Sequence, residues 1–129
     1  MLITPVTLIF RGLCNSNVAN LNGDFVTEYH RVLINATTKD EAKQILRTLL
    51  EKRLIAGGMI TEGESQYWWN NQVEEKIYYN LSAFTLAKNK QKIIDETKKI
   101  HKDDAPIVAF FKIEDGNKEF LKWIEENVR

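Results

Sequence analysis

The chain has 129 residues, 18 basic and 18 acidic side chains, and a formal net charge of zero. This length suits one domain with its own hydrophobic core, and a neutral chain lacks the field that draws proteins onto nucleic acids or anionic membranes. The lone cysteine, Cys14, cannot form an internal disulfide, and no run of 18 apolar residues predicts a membrane span, so we expect a cytoplasmic location.

Residues 1–27 are predicted to be an N-terminal extension or linker, followed by one domain over residues 28–129. Met1–Phe10 is apolar, but no basic residue precedes it and Pro5 interrupts it, which makes it a poor secretory signal. A cleaved targeting segment, a docked extra strand and a loose tail all stay open. Asn15–Asp24 is rich in Asn, Ser and Gly, which is typical of a linker.

The first strand and helix of the domain follow from a change in hydrophobic period. Tyr29–Asn35 contains three consecutive aliphatic residues, which predicts a central strand buried on both faces. Thr38 and Glu41 have the spacing of a capping box, and apolar residues then recur at helical spacing. Gly57-Gly58 is expected to end this helix.

A long hairpin follows, and it is the most informative feature of the chain. Its predicted arms are about Thr61–Trp69 and Gln72–Leu86, joined by Asn70-Asn71 in a type I′ turn because Asn tolerates positive φ. A long exposed edge is an aggregation hazard unless another chain pairs with it. We therefore expect self-association, with structural burial of the hairpin aromatics Tyr67, Trp68, Trp69, Tyr78 and Tyr79.

Three further elements complete the chain. Lys88–His101 carries apolar residues on one stripe and lysines on the other, and Ile107–Ile113 is strongly β-prone. Asp115-Gly116-Asn117 then turns the chain into a short amphipathic helix. The order predicts an α+β, ferredoxin-like βαββαβ sandwich with a C-terminal helix. Both long helices should lie on one face of the sheet, and the other face should stay bare unless subunits cover it.

These residues also carry a family resemblance. Tyr67-Trp68-Trp69 before a two-residue turn, His101 five residues before Pro106, and Gly116-Asn117 followed by Phe120-Leu121 and Trp123-Ile124 occur in one order and spacing. From about Arg31 to the C-terminus the chain resembles the CutA divalent-cation tolerance family. The resemblance implies a homotrimer whose hairpins pair across subunit boundaries, and a role in metal tolerance with copper binding in some members. The interface it implies comprises Tyr67, Trp68, Trp69, Tyr78 and Trp123.

The chain departs from the family pattern where metal chemistry would lie. The family often has Cys where this chain has Gly57, and His-Pro-Tyr-Glu-x-Pro where this chain has residues 101–106. Without a thiolate a Cu(I) site is hard to build. His101, Asp103 and Asp104 are the candidate ligands for a borderline or hard divalent ion, completed by another segment or subunit. Alternatively, His101 caps the second helix and the two aspartates are solvated.

Other chemistries have no support in the sequence. His30 has no matched cysteine or second histidine and is expected at the surface or an edge. No phosphate-binding glycine motif, nucleophile elbow or nucleophile with a base is present, so catalysis is not expected. The βαββαβ order also occurs in RNA-recognition domains, but the third strand lacks their glycine-containing consensus.

Three functions therefore remain as hypotheses. The first is a CutA-like homotrimer that responds to or binds a divalent metal such as copper. The second is a structural or adaptor trimer that acts through a protein partner. The third is a sensor similar to the PII signalling trimers, with a small anion or nucleotide in clefts between subunits.

Overall fold

A computed structural model describes residues 17–19 and 25–129, so Met1–Phe10 and Cys14 lie outside the described residues. The described part contains a small two-stranded sheet, a four-stranded sheet, three α-helices and one 3-10 turn. In chain order the elements are β1 (Asn17–Ala19), β2 (Phe25–Thr27), β3 (Tyr29–Ala36), α1 (Lys39–Glu51), β4 (Gly57–Trp69), β5 (Gln72–Leu86), the 3-10 turn Ala87–Asn89, α2 (Lys90–Ile100), β6 (Val108–Lys112) and α3 (Lys118–Asn127).

The N-terminal segment differs from the prediction in one respect. Asn17–Ala19, expected to be part of a linker, is a strand that pairs antiparallel with Phe25–Thr27. Short β-prone segments can satisfy each other's backbone hydrogen bonds in this way, which a composition of linker residues does not reveal. The rest of the predicted linker lies outside the described residues.

The four-stranded sheet confirms the predicted ferredoxin-like order. Its strands lie in the order β4-β5-β3-β6, and every neighbouring pair is antiparallel. β3 is central, as predicted, because it pairs with β5 on one side and with β6 on the other. No helix within residues 25–129 is long and apolar enough to cross a bilayer.

The prediction that β3 is buried on both faces is wrong for the single chain. Its burial alternates strictly along the strand: Val32, Ile34 and Ala36 are fully buried, whereas Leu33 between them is only half-buried. The even positions face α1 and α2, where Ile45, Leu49 and Ile93 complete the main core. Each fully buried aliphatic side chain contributes roughly 1.5–3 kcal/mol, so this face supplies the main hydrophobic stabilisation of the described chain.

The second face of the sheet is not bare, contrary to the prediction. α3 lies against one end of it, where Ile124 and Val128 form a second core with Leu86. Tyr29 and Phe84 pack against this core from the sheet, and the Tyr29 hydroxyl donates a hydrogen bond to the Glu125 carboxylate. Because it contacts the sheet at Tyr29, Phe84 and Leu86, the helix covers only the end of the sheet where β3 begins.

The end of α1 is fixed by specific backbone contacts. The helix ends at Glu51 because Arg53 takes the left-handed conformation (φ 59°), with its N–H bonded to the Leu50 carbonyl and that of Leu54 bonded to Leu49. This is a Schellman motif with a buried leucine at the position after the left-handed residue. The prediction that Gly57-Gly58 ends the helix is therefore wrong, because both glycines begin β4.

β4 and β5 form a long two-stranded ribbon that leaves the sheet. The strands have 13 and 15 residues, and Asn70 and Asn71 both have positive φ (51° and 63°), so the predicted two-residue turn is confirmed. Near the sheet, Leu81 and Ala83 are fully buried. At the tip of the ribbon, defined here as residues 66–75, Trp68 is 74% exposed and Trp69 is 52% exposed.

Candidate functional site

A cleft of about 690 Å³ lies between the ribbon and the loop that follows α2. One side is formed by residues of β4 and β5, and the other by the loop residues 102–107 and the end of β3. Its lining is Asn35, Ser65, Gln66, Tyr67, Trp68, Trp69, Glu74, Lys76, Tyr78, Lys102, Asp103, Asp104, Ala105 and Ile107. The cleft therefore brings aromatic rings and charged groups of both signs to one concave surface.

The ribbon side of the cleft follows from strand alternation. The register pairs Gly63 with Tyr78 and Tyr67 with Glu74, which places both tyrosines on the same face of the ribbon. Their rings meet edge to face with centroids 5.9 Å apart. The ammonium of Lys76 lies 5.2 Å from the centroid of the Tyr78 ring, a cation–π distance. The ribbon therefore presents a preformed aromatic surface with a cation beside it.

Tyr78 joins the ribbon to the loop. Its hydroxyl can donate to Oδ2 of Asp103, 3.3 Å away, and lies 3.4 Å from the hydroxyl of Tyr67. Burial, the hydrogen bond with Tyr67 and the negative charge of Asp103 all raise the pKa of Tyr78 above its ordinary value. Tyr78 is therefore a neutral phenol that acts as a hydrogen-bond donor.

His101 is buried beneath the loop and does not face the cleft. Its side chain has no exposed surface, its Nε2 donates to the backbone carbonyl of Asn35, and its Nδ1 accepts from the N–H of Asp103 at 3.1 Å. The residue ends α2 through its own N–H, which bonds to the Thr97 carbonyl. The backbone of His101 caps α2, but its imidazole ring contacts the end of β3 and makes no bond to the helix terminus.

Glu41 is the second buried ionisable group at this end of the sheet. Oε1 accepts from the N–H and the hydroxyl of Thr37 at 2.8 and 3.1 Å, and Oε2 accepts from the N–H of Lys102 at 3.0 Å. Burial alone would raise the pKa of Glu41, but the hydrogen bonds from Thr37 and Lys102 to its carboxylate lower it below its ordinary value. The Thr38 hydroxyl accepts a hydrogen bond from the N–H of Glu41, as the capping box predicts. The reciprocal bond differs, because the Glu41 carboxylate accepts from the N–H of Thr37 and not from that of Thr38.

The structure does not bring the three predicted metal ligands together. His101 has both ring nitrogens engaged, Asp103 accepts from Tyr78, and Asp104 is exposed in the loop. Within residues 25–129, no three His, Cys, Asp or Glu side chains form a group that could hold a metal ion. Because a ligating histidine needs a free ring nitrogen, the residues present in the single chain do not fit a divalent cation at this place.

Gly57, which stands where the family often has a cysteine, lies against Trp123. A Cβ built on Gly57 would be 2.8 Å from Cη2 of the indole, closer than side-chain carbons normally approach. Trp123 also packs against Phe84 and Phe120, with ring centroids 6.4 and 6.3 Å away. The absence of a side chain at Gly57 therefore permits the indole to lie across the start of β4.

The five predicted interface residues have different environments in the single chain. Trp68 and Trp69 are exposed at the tip, and Tyr67 and Tyr78 are half-buried and contact each other. Trp123 is 39% exposed and already packed on its own chain. Their burial between subunits stays a prediction.

Other sequence predictions had mixed outcomes. His30, expected at the surface, is buried on the helix side of the sheet with Nε2 2.7 Å from the Glu28 carboxylate. Its even position in β3 accounts for the burial, since even positions face α1 and α2. Sequence reasoning missed the role of Asn35 and treated Glu41 only as a cap. The signal that the sequence offered for Glu41 was an acidic residue three positions after a capping threonine.

The sequence pattern of the family described as "CutA1 divalent ion tolerance protein" matches residues 30–127. The divalent-cation tolerance protein CutA of Archaeoglobus fulgidus is 34% identical over 97 residues, which are 75% of this chain and 95% of that protein. The CutA homolog of Danio rerio is 32% identical over 108 residues, covering 82% of this chain and 72% of that protein.

Solved structures show the same similarity. The structure described as the periplasmic divalent cation tolerance protein CutA from Archaeoglobus fulgidus has a TM-score of 0.76 and 33% identity, and covers 78% of this chain and 99% of that one. A divalent cation tolerance protein from Thermus thermophilus has a TM-score of 0.76 and 29% identity, with the same coverage of both chains.

Proposed function

The chain belongs to the CutA1 divalent ion tolerance protein family, and from this premise we propose that it acts in divalent metal ion tolerance as a non-catalytic homotrimer. The observation that carries the proposal is the family match over residues 30–127, which includes the whole ribbon. The exposed tryptophans at the tip support self-association, because water-exposed indoles on an extended ribbon gain free energy when another chain covers them.

We propose that any metal site is shared between subunits and binds weakly. In support, each chain offers separate carboxylates near the cleft but no complete ligand set within residues 25–129. Carboxylate donors suit borderline or hard divalent ions better than Cu(I), so Cu(II) is the form of copper to test first. No step of the proposed function depends on His101 as a ligand.

We propose that the protein is not an enzyme, because its buried histidine and glutamate are not available to act as a general base. A general base in the cleft would need a free lone pair within reach of a substrate. His101 uses both ring nitrogens within the chain, and the ionised Glu41 is buried and accepts three hydrogen bonds. Asp103 and Asp104 remain as carboxylates at the cleft, and its lining offers no activated nucleophile beside them.

A second candidate function is favoured by the cleft itself. Its volume of about 690 Å³ lies in the range of small-molecule sites, and it combines phenol and indole rings with the ammonium groups of Lys76 and Lys102. The carboxylates of Glu74, Asp103 and Asp104 line the same cleft, so it suits a planar ligand that carries hydrogen-bond donors as well as negative charge, which is the sensor hypothesis with a small ligand. The adaptor hypothesis uses the same surface, with a protein partner in place of the small ligand.

Three measurements test these proposals. Light scattering at micromolar concentration should give three times the monomer mass, and a stable monomer would overturn the trimer. Calorimetry with Cu(II), Zn(II) and Ni(II) on the full chain should show heat for at least one ion, and no micromolar heat would overturn direct metal binding. A melting temperature raised by nucleotides but not by metals would favour the cleft ligand.

The compartment is proposed to be the cytoplasm. The single cysteine of the sequence supports a reducing environment, because secreted proteins of this size commonly use paired cysteines. The related Archaeoglobus fulgidus protein is described as periplasmic, so fractionation of cells that produce the full chain is the deciding measurement. Recovery outside the cytoplasm would overturn this proposal.

A further inference from the structure

Two buried ionisable residues join parts of the chain that are far apart in sequence. Glu41 bonds to Thr37 and to the N–H of Lys102, which is 61 positions further along the chain. His101 bonds to the carbonyl of Asn35, 66 positions before it. Both side chains are almost completely buried, with 2% and 0% of their surfaces exposed. Together they connect the end of β3, the start of α1 and the loop after α2.

We propose that Glu41 and His101 form a polar latch that fixes the loop 101–107 and places Asp103 against Tyr78, so that His101 is a positioning residue of the cleft and not a metal ligand. The latch is defined as these two side chains and their hydrogen bonds. It goes beyond the proposed function, because it concerns how the cleft is held whichever ligand the cleft takes.

The hydrogen-bond partners assign the proton on the His101 ring. The Asp103 N–H can only donate, so Nδ1 must carry a lone pair, and the Asn35 carbonyl can only accept, so Nε2 must carry the hydrogen. This is the neutral imidazole with hydrogen on Nε2. A metal ion could take either nitrogen only after one of these bonds is broken and the buried ring is exposed.

The latch controls the loop through two consecutive backbone amides. The N–H of Lys102 is held by Glu41 and the N–H of Asp103 by His101, so the start of the loop has a fixed direction. The far end of the loop is held at the same strand, since Asn35 donates its N–H to the Ile107 carbonyl at 3.3 Å. Asp103 therefore approaches the Tyr78 hydroxyl in a geometry set beneath the cleft.

Nuclear magnetic resonance of the uniformly ¹⁵N-labelled full chain tests the tautomer directly. We expect a scalar coupling across the hydrogen bond between the Asp103 amide nitrogen and Nδ1 of His101, and a slowly exchanging proton on Nε2. A folded protein that shows no such coupling, or a His101 ring with hydrogen on Nδ1, would overturn the latch.

A matched pair of variants separates positioning from simple stability. His101→Asn keeps an acceptor close to the Nδ1 position, whereas His101→Gln keeps a donor close to the Nε2 position. Both should lower the melting temperature, but His101→Gln should shift the Tyr78 ring resonances and speed exchange of the Asp103 amide more than His101→Asn does, because only His101→Gln removes the acceptor of the Asp103 N–H. Equal Tyr78 shifts in both variants would overturn the positioning role, because a purely structural loss predicts no difference between them.

The metal arm uses Cu(II), Zn(II) and Ni(II) alone with the full chain. We expect the affinity of any ion that binds to be unchanged within about twofold in His101→Gln, because an engaged ring nitrogen is not a ligand. The His101 ring resonances should also stay in place during the titration. Loss of binding in His101→Gln together with shifted ring nitrogens would overturn the assignment. Absence of heat in the unmodified chain would contradict the metal site proposed above, while the nitrogen coupling would still support the latch.

Discussion

The side chains of β5 are buried near the sheet and exposed at the tip of the ribbon. Near the sheet, its residues Leu81 and Ala83 are fully buried against α1 and β3. At the tip of the ribbon, Val73 of the same strand is 54% exposed and lies opposite the exposed Trp68. The body of the molecule, meaning the sheet with its three helices, therefore has its hydrophobic core within one chain. The tip forms regular backbone pairs, but no layer of the described chain covers its side chains.

This difference shows that backbone pairing and side-chain burial are separate requirements for a strand. The register continues without a break from Gly57 paired with Phe84 to Trp69 paired with Gln72. Isolated two-stranded ribbons are marginal in water, so the tip depends on the body for its alignment, and in the proposed trimer another chain would bury it.

Replacing Trp69 with Glu should disrupt the proposed trimer. Loss of a buried aromatic costs roughly 3–5 kcal/mol per interface, and a charge at this position adds a desolvation penalty. Light scattering should detect monomers or aggregates. Gln44→Glu, at an exposed position on α1, adds the same charge away from the ribbon as a control. A Trp69→Glu protein that stays trimeric with an unchanged melting temperature would show that this residue is not in a packed contact.

Truncating the same strand in the two regions should give unequal losses of folding stability. Leu81→Ala removes a fully buried side chain and should lower the free energy of unfolding by about 2–5 kcal/mol. Val73→Ala, on the same face of β5, is the matched control, and its loss should be well below that of Leu81→Ala. Denaturant unfolding measures both. Equal losses would mean that the tip is as well packed as the body.

Glu41→Gln should destabilise the body and remove part of its acid sensitivity. The Lys102 N–H would face an amide donor, and an unsatisfied buried group costs about 1–3 kcal/mol. Because folding lowers the pKa of Glu41, its charge stabilises the native state above the unfolded pKa of about 4.3, and this stabilisation is lost as pH falls through the folded value.

The free energy of unfolding, measured between about pH 7 and pH 3, should therefore depend less on pH in Glu41→Gln than in the unmodified protein. Asp40→Asn changes an exposed neighbour in the same helical turn and serves as the control. If both variants keep the pH dependence of the unmodified protein, the ionised form of Glu41 does not stabilise the fold.

The smallest effect is expected where the ribbon leaves the body. Gly57→Cys places a side chain against the Trp123 indole, and because that ring is 39% exposed and can shift, the cost should be about 1 kcal/mol, at the low end for overpacking. Thermal unfolding of Gly57→Cys, Trp123→Ala and the double variant gives the coupling between the two positions. A coupling near zero would mean that the close approach has no energetic consequence.

Several features were predictable because they depend on neighbours in sequence. The turn at Asn70-Asn71 was identified from residues that tolerate positive φ, and the start of α1 from a threonine followed by a periodic apolar stripe. The end of α1 was missed because a left-handed Arg53 has no compositional signal, whereas the glycines nearby do. His30 was misplaced because β3 was predicted to be buried on both faces, so the alternation that puts His30 on the face of Val32 and Ile34 was not used.

The sequence alone determined the order of the elements, the long aromatic ribbon and the family, because these follow from local period, turn chemistry and motif spacing. Only the tertiary structure decided that α3 covers one end of the sheet and that His101 is buried with both nitrogens engaged. It also decided that Glu41 bonds to Lys102. These contacts join residues tens of positions apart, and their existence depends on how layers stack, which no local pattern encodes.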